Sequence, residues 1–84
     1  MSPRKFSGRS EVLTYRQHFG RRWQRFVRAH FEDPIDCAHF FKVDVSTASN
    51  WWEGLNSPQG WVIGRALADP DLGPAAFDHL RVAA

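Results

Sequence analysis

The 84-residue chain has one cysteine, one methionine, one tyrosine and no apolar run long enough to cross a membrane. A single Cys37 cannot close an internal disulfide, and no signal peptide or lipidation pattern is present, so a cytoplasmic protein is expected. Glycine-rich loops that cradle phosphates are missing. His30, Cys37 and His39 lack a fourth ligand and stand in no CxxC or HxxxH pair, so no metal is expected. Cys37 sits inside a short predicted helix with no oxyanion loop nearby, and the chain has little room for a substrate pocket. Neither an enzyme nor a cofactor is expected.

Acidic residues are scarce at one end. Residues 1 to 28 carry eight basic side chains against Glu11 alone, a balance of +7, while residues 29 to 84 carry three against eight acids, a balance of −5. The total of +2 hides a strong asymmetry, which suggests a polyanion held mainly by one end of the protein. Eighty-four residues make one domain that buries only about 60 to 65% of its unfolded surface, and twelve aromatic side chains help to compensate.

Residues 1 to 13 mix Pro, Ser and Gly with Arg4, Lys5 and Arg9 and show little apolar periodicity. They read as a basic arm, either a solvated tail or a segment that orders along a DNA groove or backbone. The remaining residues, 14 to 84, read as an all-α domain of five short helices. Thr14 with Gln17 forms a capping box, and Phe19, Trp23, Phe26, Val27, His30 and Phe31 recur at helical spacing. The opposite face of this helix shows Arg21, Arg22, Arg25 and Arg28 with no acidic partner at helical spacing. Four such charges repel one another unless an anion is near, so phosphate contact is expected there.

Asp33 followed by Pro34 predicts a second helix, with Ala38 and Phe41 on one face. Lys42, Val43 and Asp44 form a turn, and Asp44 is placed to cap a third helix from Val45 to about Trp52, which Gly54 stops. Ala38, Phe41, Val43, Ala48, Trp51 and Trp52 are spaced so that two steeply crossing helices share one core. The two tryptophans are read as core rather than as a stacking platform for single strands, because a small domain needs large apolar groups.

These residues resemble the lambda repressor-like helix-turn-helix family of phages and bacteria. The matching positions are Ala38, Lys42, Val43, Ala48 and Trp51, followed by the run from Trp51 to Asn56 as the end of a recognition helix and its loop. The resemblance implies a DNA-binding transcription regulator, often a dimer, with helix three in the major groove of double-stranded DNA. Candidate base contacts are Val45, Ser46, Thr47, Ser49 and Asn50, with Asn56 in the loop. Candidate phosphate contacts are Arg4, Lys5, Arg9, Arg21, Arg22, Arg25, Arg28, Lys42 and Ser57. The family usually has glycine where this chain has Lys42. A lysine there must bear strain of about 1 kcal/mol or adopt another turn.

Two features point elsewhere. Asp33 and Asp36 open helix two where the family offers neutral donors, and helix three has no Arg or Lys. They support an alternative, a protein-interaction module that binds another regulator or RNA polymerase. Beyond helix three, Ser57 and Pro58 predict the start of a fourth helix carrying Trp61, Val62, Ile63, Ala66 and Leu67 to about Ala68, with Gly60 and Gly64 weakening it. Pro74 opens a last helix in which Phe77 and Leu80 share a face, with Ala76, Ala83 and Ala84 at its edges. That helix either covers the core or pairs with its copy in a homodimer.

Overall fold

The structure, a computed structural model, describes residues 18–81. Among these residues there are five helices and no strand: α1 (18–30), α2 (Pro34–Phe41), α3 (Val45–Trp52), α4 (Gly60–Ala68) and α5 (Gly73–Leu80). The chain is all-α, as its periodicities predict. The capping box at Thr14 and Gln17, the basic arm, and Ala83 and Ala84 lie outside the described residues. No described helix is long and apolar enough to cross a membrane.

The apolar stripe of α1 delivers Trp23, Phe26 and Val27 to complete burial. Trp23 meets Phe41 of α2 at 5.7 Å between ring centroids and Trp51 of α3 at 5.6 Å, and Phe41 and Trp51 meet each other edge-on at 5.6 Å. Offset and edge-on ring pairs of this kind are each worth about 0.5–1.5 kcal/mol beyond the area they bury. His30, on the predicted stripe, stays exposed at its edge and lies against Phe26.

The start of α2 follows the local chemistry. Asp33 Oδ1 accepts the Asp36 amide at 2.8 Å, and Asp36 Oδ2 accepts the Glu32 amide at 3.2 Å, a reciprocal arrangement that satisfies two donors at the helix entrance. Cys37, Ala38 and Phe41 face the core, and α2 packs against α3. The helix ends at Lys42, whose φ of 58° and ψ of 50° are left-handed, with the Val43 amide donating back to the Ala38 carbonyl at 3.1 Å. Of the two outcomes open to a lysine here, the chain takes the strained one.

At the start of α3 the expectation is half met. Asp44 does precede the helix, but its carboxylate makes no cap hydrogen bond, and the first turn is closed by the Asp44 carbonyl accepting the Ala48 amide at 3.1 Å. The end is as the glycine predicts. Gly54 is left-handed at φ 74°, its amide donates to the Trp51 carbonyl at 3.0 Å, and the Leu55 amide reaches the Asn50 carbonyl at 2.8 Å.

The fourth helix starts later than the Ser57 and Pro58 pair predicts. Residues 55–59 are irregular, Ser57 is exposed, and α4 begins at Gly60 with no side-chain cap. The cap-and-proline signal is local, whereas the chain must travel on from Gly54 before Val62 and Ala66 can turn inward. Asp69 then organises the next turn, its carboxylate accepting the amides of Asp71 at 2.9 Å and Leu72 at 2.8 Å. Gly73 is required by proximity, since a Cβ there would lie 2.5 Å from the Leu67 carbonyl oxygen. Ala76 and Leu80 close the core from α5, while Phe77 is left 61% exposed beside an apolar groove.

The left-handed positions give opposite expectations. Lys42→Gly should raise stability by about 1 kcal/mol, because glycine carries no Cβ penalty there. Gly54→Ala should lower it by about 1–2 kcal/mol, since the new Cβ would meet Gln24 Oε1 at 2.9 Å as well as bearing the left-handed strain. Urea unfolding measures both, and a melting shift of about 4–8 °C per kcal/mol is expected for a domain of this size.

Candidate functional site

Burial of Ala48 and Trp51 decides which way α3 faces. Val45 at 49% exposure and Ser46 stand open to solvent, Thr47, Ser49 and Asn50 are half-buried, and Asn56 is exposed in the loop after the helix. A cleft of about 550 Å³ opens beside the start of α3. Its wall brings together Lys42 from the turn, Thr47 from α3, and Asn56 and Ser57 from the loop, four of the residues picked out by sequence. Val45, Ser46, Ser49 and Asn50 lie outside that lining and extend the surface along α3. Asp44 lies within it, so the cleft carries one cation and one carboxylate.

The arginine strip of α1 divides. Arg28 donates from Nε to the Trp52 carbonyl at 2.8 Å, and its guanidinium stands 5.4 Å from the centre of the Trp52 ring. Gln24 donates to the same carbonyl at 2.9 Å. Two side chains one turn apart on α1 thus close the C-terminal end of α3, where unpaired carbonyls concentrate negative charge. Arg22 Nη1 reaches the Arg81 carbonyl at 3.4 Å. Carbonyl oxygens therefore supply part of the compensation that the sequence assigns to an anion. Arg21 and Arg25 are exposed on the solvent side of α1, and Arg4, Lys5 and Arg9 lie outside the described residues. Arg65 repeats the pattern on α2, donating to the Phe40 carbonyl at 3.0 Å with its guanidinium 4.3 Å from that ring's centre.

Acidic groups lie at the ends of α2 and α3. Glu32, Asp33 and Asp36 are exposed around the entrance of α2 beside Ile35, itself 64% exposed, and Glu53 is exposed at the end of α3. Cys37 is fully buried, and burial first, then the Asp36 charge, push its thiol up to about 12. A thiol so held is neither a nucleophile nor a ready metal ligand at neutral pH. Among the described residues no three His, Cys, Asp or Glu side chains converge as a metal site would require.

Two kinds of residue escape sequence reasoning. Periodicity groups Trp61 with the apolar residues of α4, yet it is 54% exposed and lines the cleft with Gln59. Val62 and Ala66 already define the buried stripe at i and i+4, which leaves Trp61 well round the helix from it; that offset is the available signal. Gln24 and Arg28 offer no such signal, because their partner, the Trp52 carbonyl, is 28 and 24 residues away.

The geometry bears on stability in two measurable ways. Arg28→Ala should lower it by about 0.5–1 kcal/mol by uncapping the end of α3, whereas Arg21→Ala and Arg25→Ala should leave thermal unfolding unchanged. The raised thiol value of Cys37 means that the fold favours the neutral form. Its contribution is full below the ordinary value of 9.0 and disappears as pH rises through about 12. The stability difference between the wild type and Cys37→Ala should therefore be constant below about pH 8 and shrink steadily above pH 9, as read by unfolding at a series of pH values.

Comparison of the chain with family models, with curated proteins and with solved structures finds no match.

Proposed function

We propose that this chain is a sequence-specific DNA-binding transcription regulator of phage or bacterial type, working in the cytoplasm as a lambda repressor-like helix-turn-helix protein. On this reading α3 lies in the major groove of double-stranded DNA. Val45, Ser46, Thr47, Ser49, Asn50 and Asn56 face base edges, and Arg21, Arg25, Lys42, Ser57 and the basic arm hold phosphates. The observation that carries the reading is the convergence of Lys42, Thr47, Asn56 and Ser57, from three separate stretches of chain, on one cleft at the entrance of α3. A second support is the anchoring of the far end of α3 by Gln24 and Arg28, which presents the helix as a rigid unit.

Arg28 has a structural role of its own, so the phosphate contacts of α1 rest first on Arg21 and Arg25. With no cation on α3 and acids around the entrance of α2, affinity comes from α1, the arm and a second copy of the protein on a partly symmetric site. The competing reading is a protein-interaction module for another regulator or RNA polymerase. It is favoured by Ile35, an apolar side chain left 64% exposed in a stretch whose other exposed residues are Glu32, Asp33 and Asp36.

Selection from a randomised duplex library, followed by a salt titration on the enriched site, separates the two. DNA reading predicts an enriched motif with half-sites about one helical turn apart and a steep fall of affinity with salt. Asn50→Ala with Asn56→Ala should then reduce discrimination by about 1–3 kcal/mol for each base no longer read. Arg21→Ala and Arg25→Ala should weaken all duplexes alike and each reduce the salt slope by about 1. Weak, sequence-indifferent binding that vanishes at physiological salt would overturn the stand-alone regulator and turn the search to a protein partner.

A further inference from the structure

The four tryptophans are used unequally. Trp23 and Trp51 are buried, Trp52 is half-buried beside Arg28, and Trp61 is 54% exposed. The exposed half of the Trp61 indole adds nothing to folding, since the stabilisation scales with apolar area removed from solvent. One hydrogen bond nonetheless restrains it. Trp61 Nε1 donates to Gln59 Oε1 at 2.9 Å, so the ring stands as a tethered wall of the cleft that also holds Lys42, Thr47 and Asn56. A side chain already restrained loses less freedom when a partner docks.

The cleft's chemistry narrows the partner. At about 550 Å³ it has roughly the volume of one to two turns of α-helix, too little for a folded domain and enough for a protruding strand. Lys42 and Asp44 both line it, so one cation is offset by one carboxylate and the lining carries no net charge to hold a phosphate at its centre. A neutral, weakly polar group flanked by phosphate fits this combination, and the deoxyribose of a DNA strand is such a group.

We infer that Trp61 is a DNA-contacting residue whose indole packs against the deoxyribose of the strand beside the bases read by α3, and so fixes the register of that helix. This rests on the DNA-binding reading above. Gln59 acts as a positioning residue that holds the ring.

The test uses the full chain carrying fluorotryptophan, with the Trp61 resonance identified by its disappearance in Trp61→Phe and the duplex enriched by selection as the probe. Adding duplex should shift the Trp61 resonance and reduce quenching of the exposed tryptophan by acrylamide severalfold. Trp61→Ala should weaken binding about tenfold per folded molecule, the folded fraction being read by thermal unfolding, Trp61→Phe should fall between, and Gln59→Ala should cost about two- to threefold. If Asn50→Ala and Asn56→Ala weaken binding while Trp61→Ala binds as the wild type does, the DNA reading stands and this inference falls. A Trp61 resonance that moves with RNA polymerase but not with duplex overturns it as well, and failure to enrich any duplex overturns both.

Discussion

Trp23 is the point at which three helices meet. Its indole, fully buried, touches Phe26 on its own helix, Phe41 on α2 and Trp51 on α3, and so ties α1 to both of the helices that flank the turn at Lys42. A domain this short has few groups that can supply so much buried area from one position. The angle between α2 and α3 is held against this ring cluster, and with it the direction in which the polar side of α3 points. The indole N–H has no acceptor among the described residues, so the packing outweighs the cost of one unpaired donor, about 1–3 kcal/mol.

A second constraint is electrostatic and acts at helix ends. Short helices leave a large share of their carbonyls unpaired, and in this chain side chains from distant helices fill that need. Gln24 and Arg28 close α3 at Trp52, and Arg65 closes α2 at Phe40. Each guanidinium also lies against the aromatic ring whose residue it caps, joining charge, hydrogen bond and ring face in one contact. The charge asymmetry of the sequence is therefore partly internal in use. What remains outward on α1 is Arg21 and Arg25, and what remains outward around the entrance of α2 is negative.

Most of the helices are legible in the sequence. Asp33 before Pro34 and Gly54 after Trp52 are signals whose chemistry is complete within five residues, and both behave in the structure as that chemistry demands. The same kind of signal fails at Ser57 and Pro58, where the path of the chain from Gly54 to Val62 delays the helix, and at Asp44, whose carboxylate makes no cap bond. For the candidate site, sequence picks Lys42, Thr47, Asn56 and Ser57, which do share a cleft. It groups Trp61 with the other apolar residues of α4 without telling it apart, and only its offset from Val62 and Ala66 separates it from the buried stripe.

By itself the sequence determined the all-α class, the turn between α2 and α3, the stripe through Trp23, Phe26 and Val27, and the buried face of Ala48 and Trp51. These depend on periodicity and on bonds between near neighbours, which a linear chain carries in full. The tertiary structure alone decided that Lys42 accepts left-handed strain, that Arg28 turns to the Trp52 carbonyl, and that Trp61 stands in solvent beside Asn56. Each of those outcomes depends on a partner or a free volume supplied by a distant stretch of chain, or on a packing demand stronger than a local preference of about 1 kcal/mol.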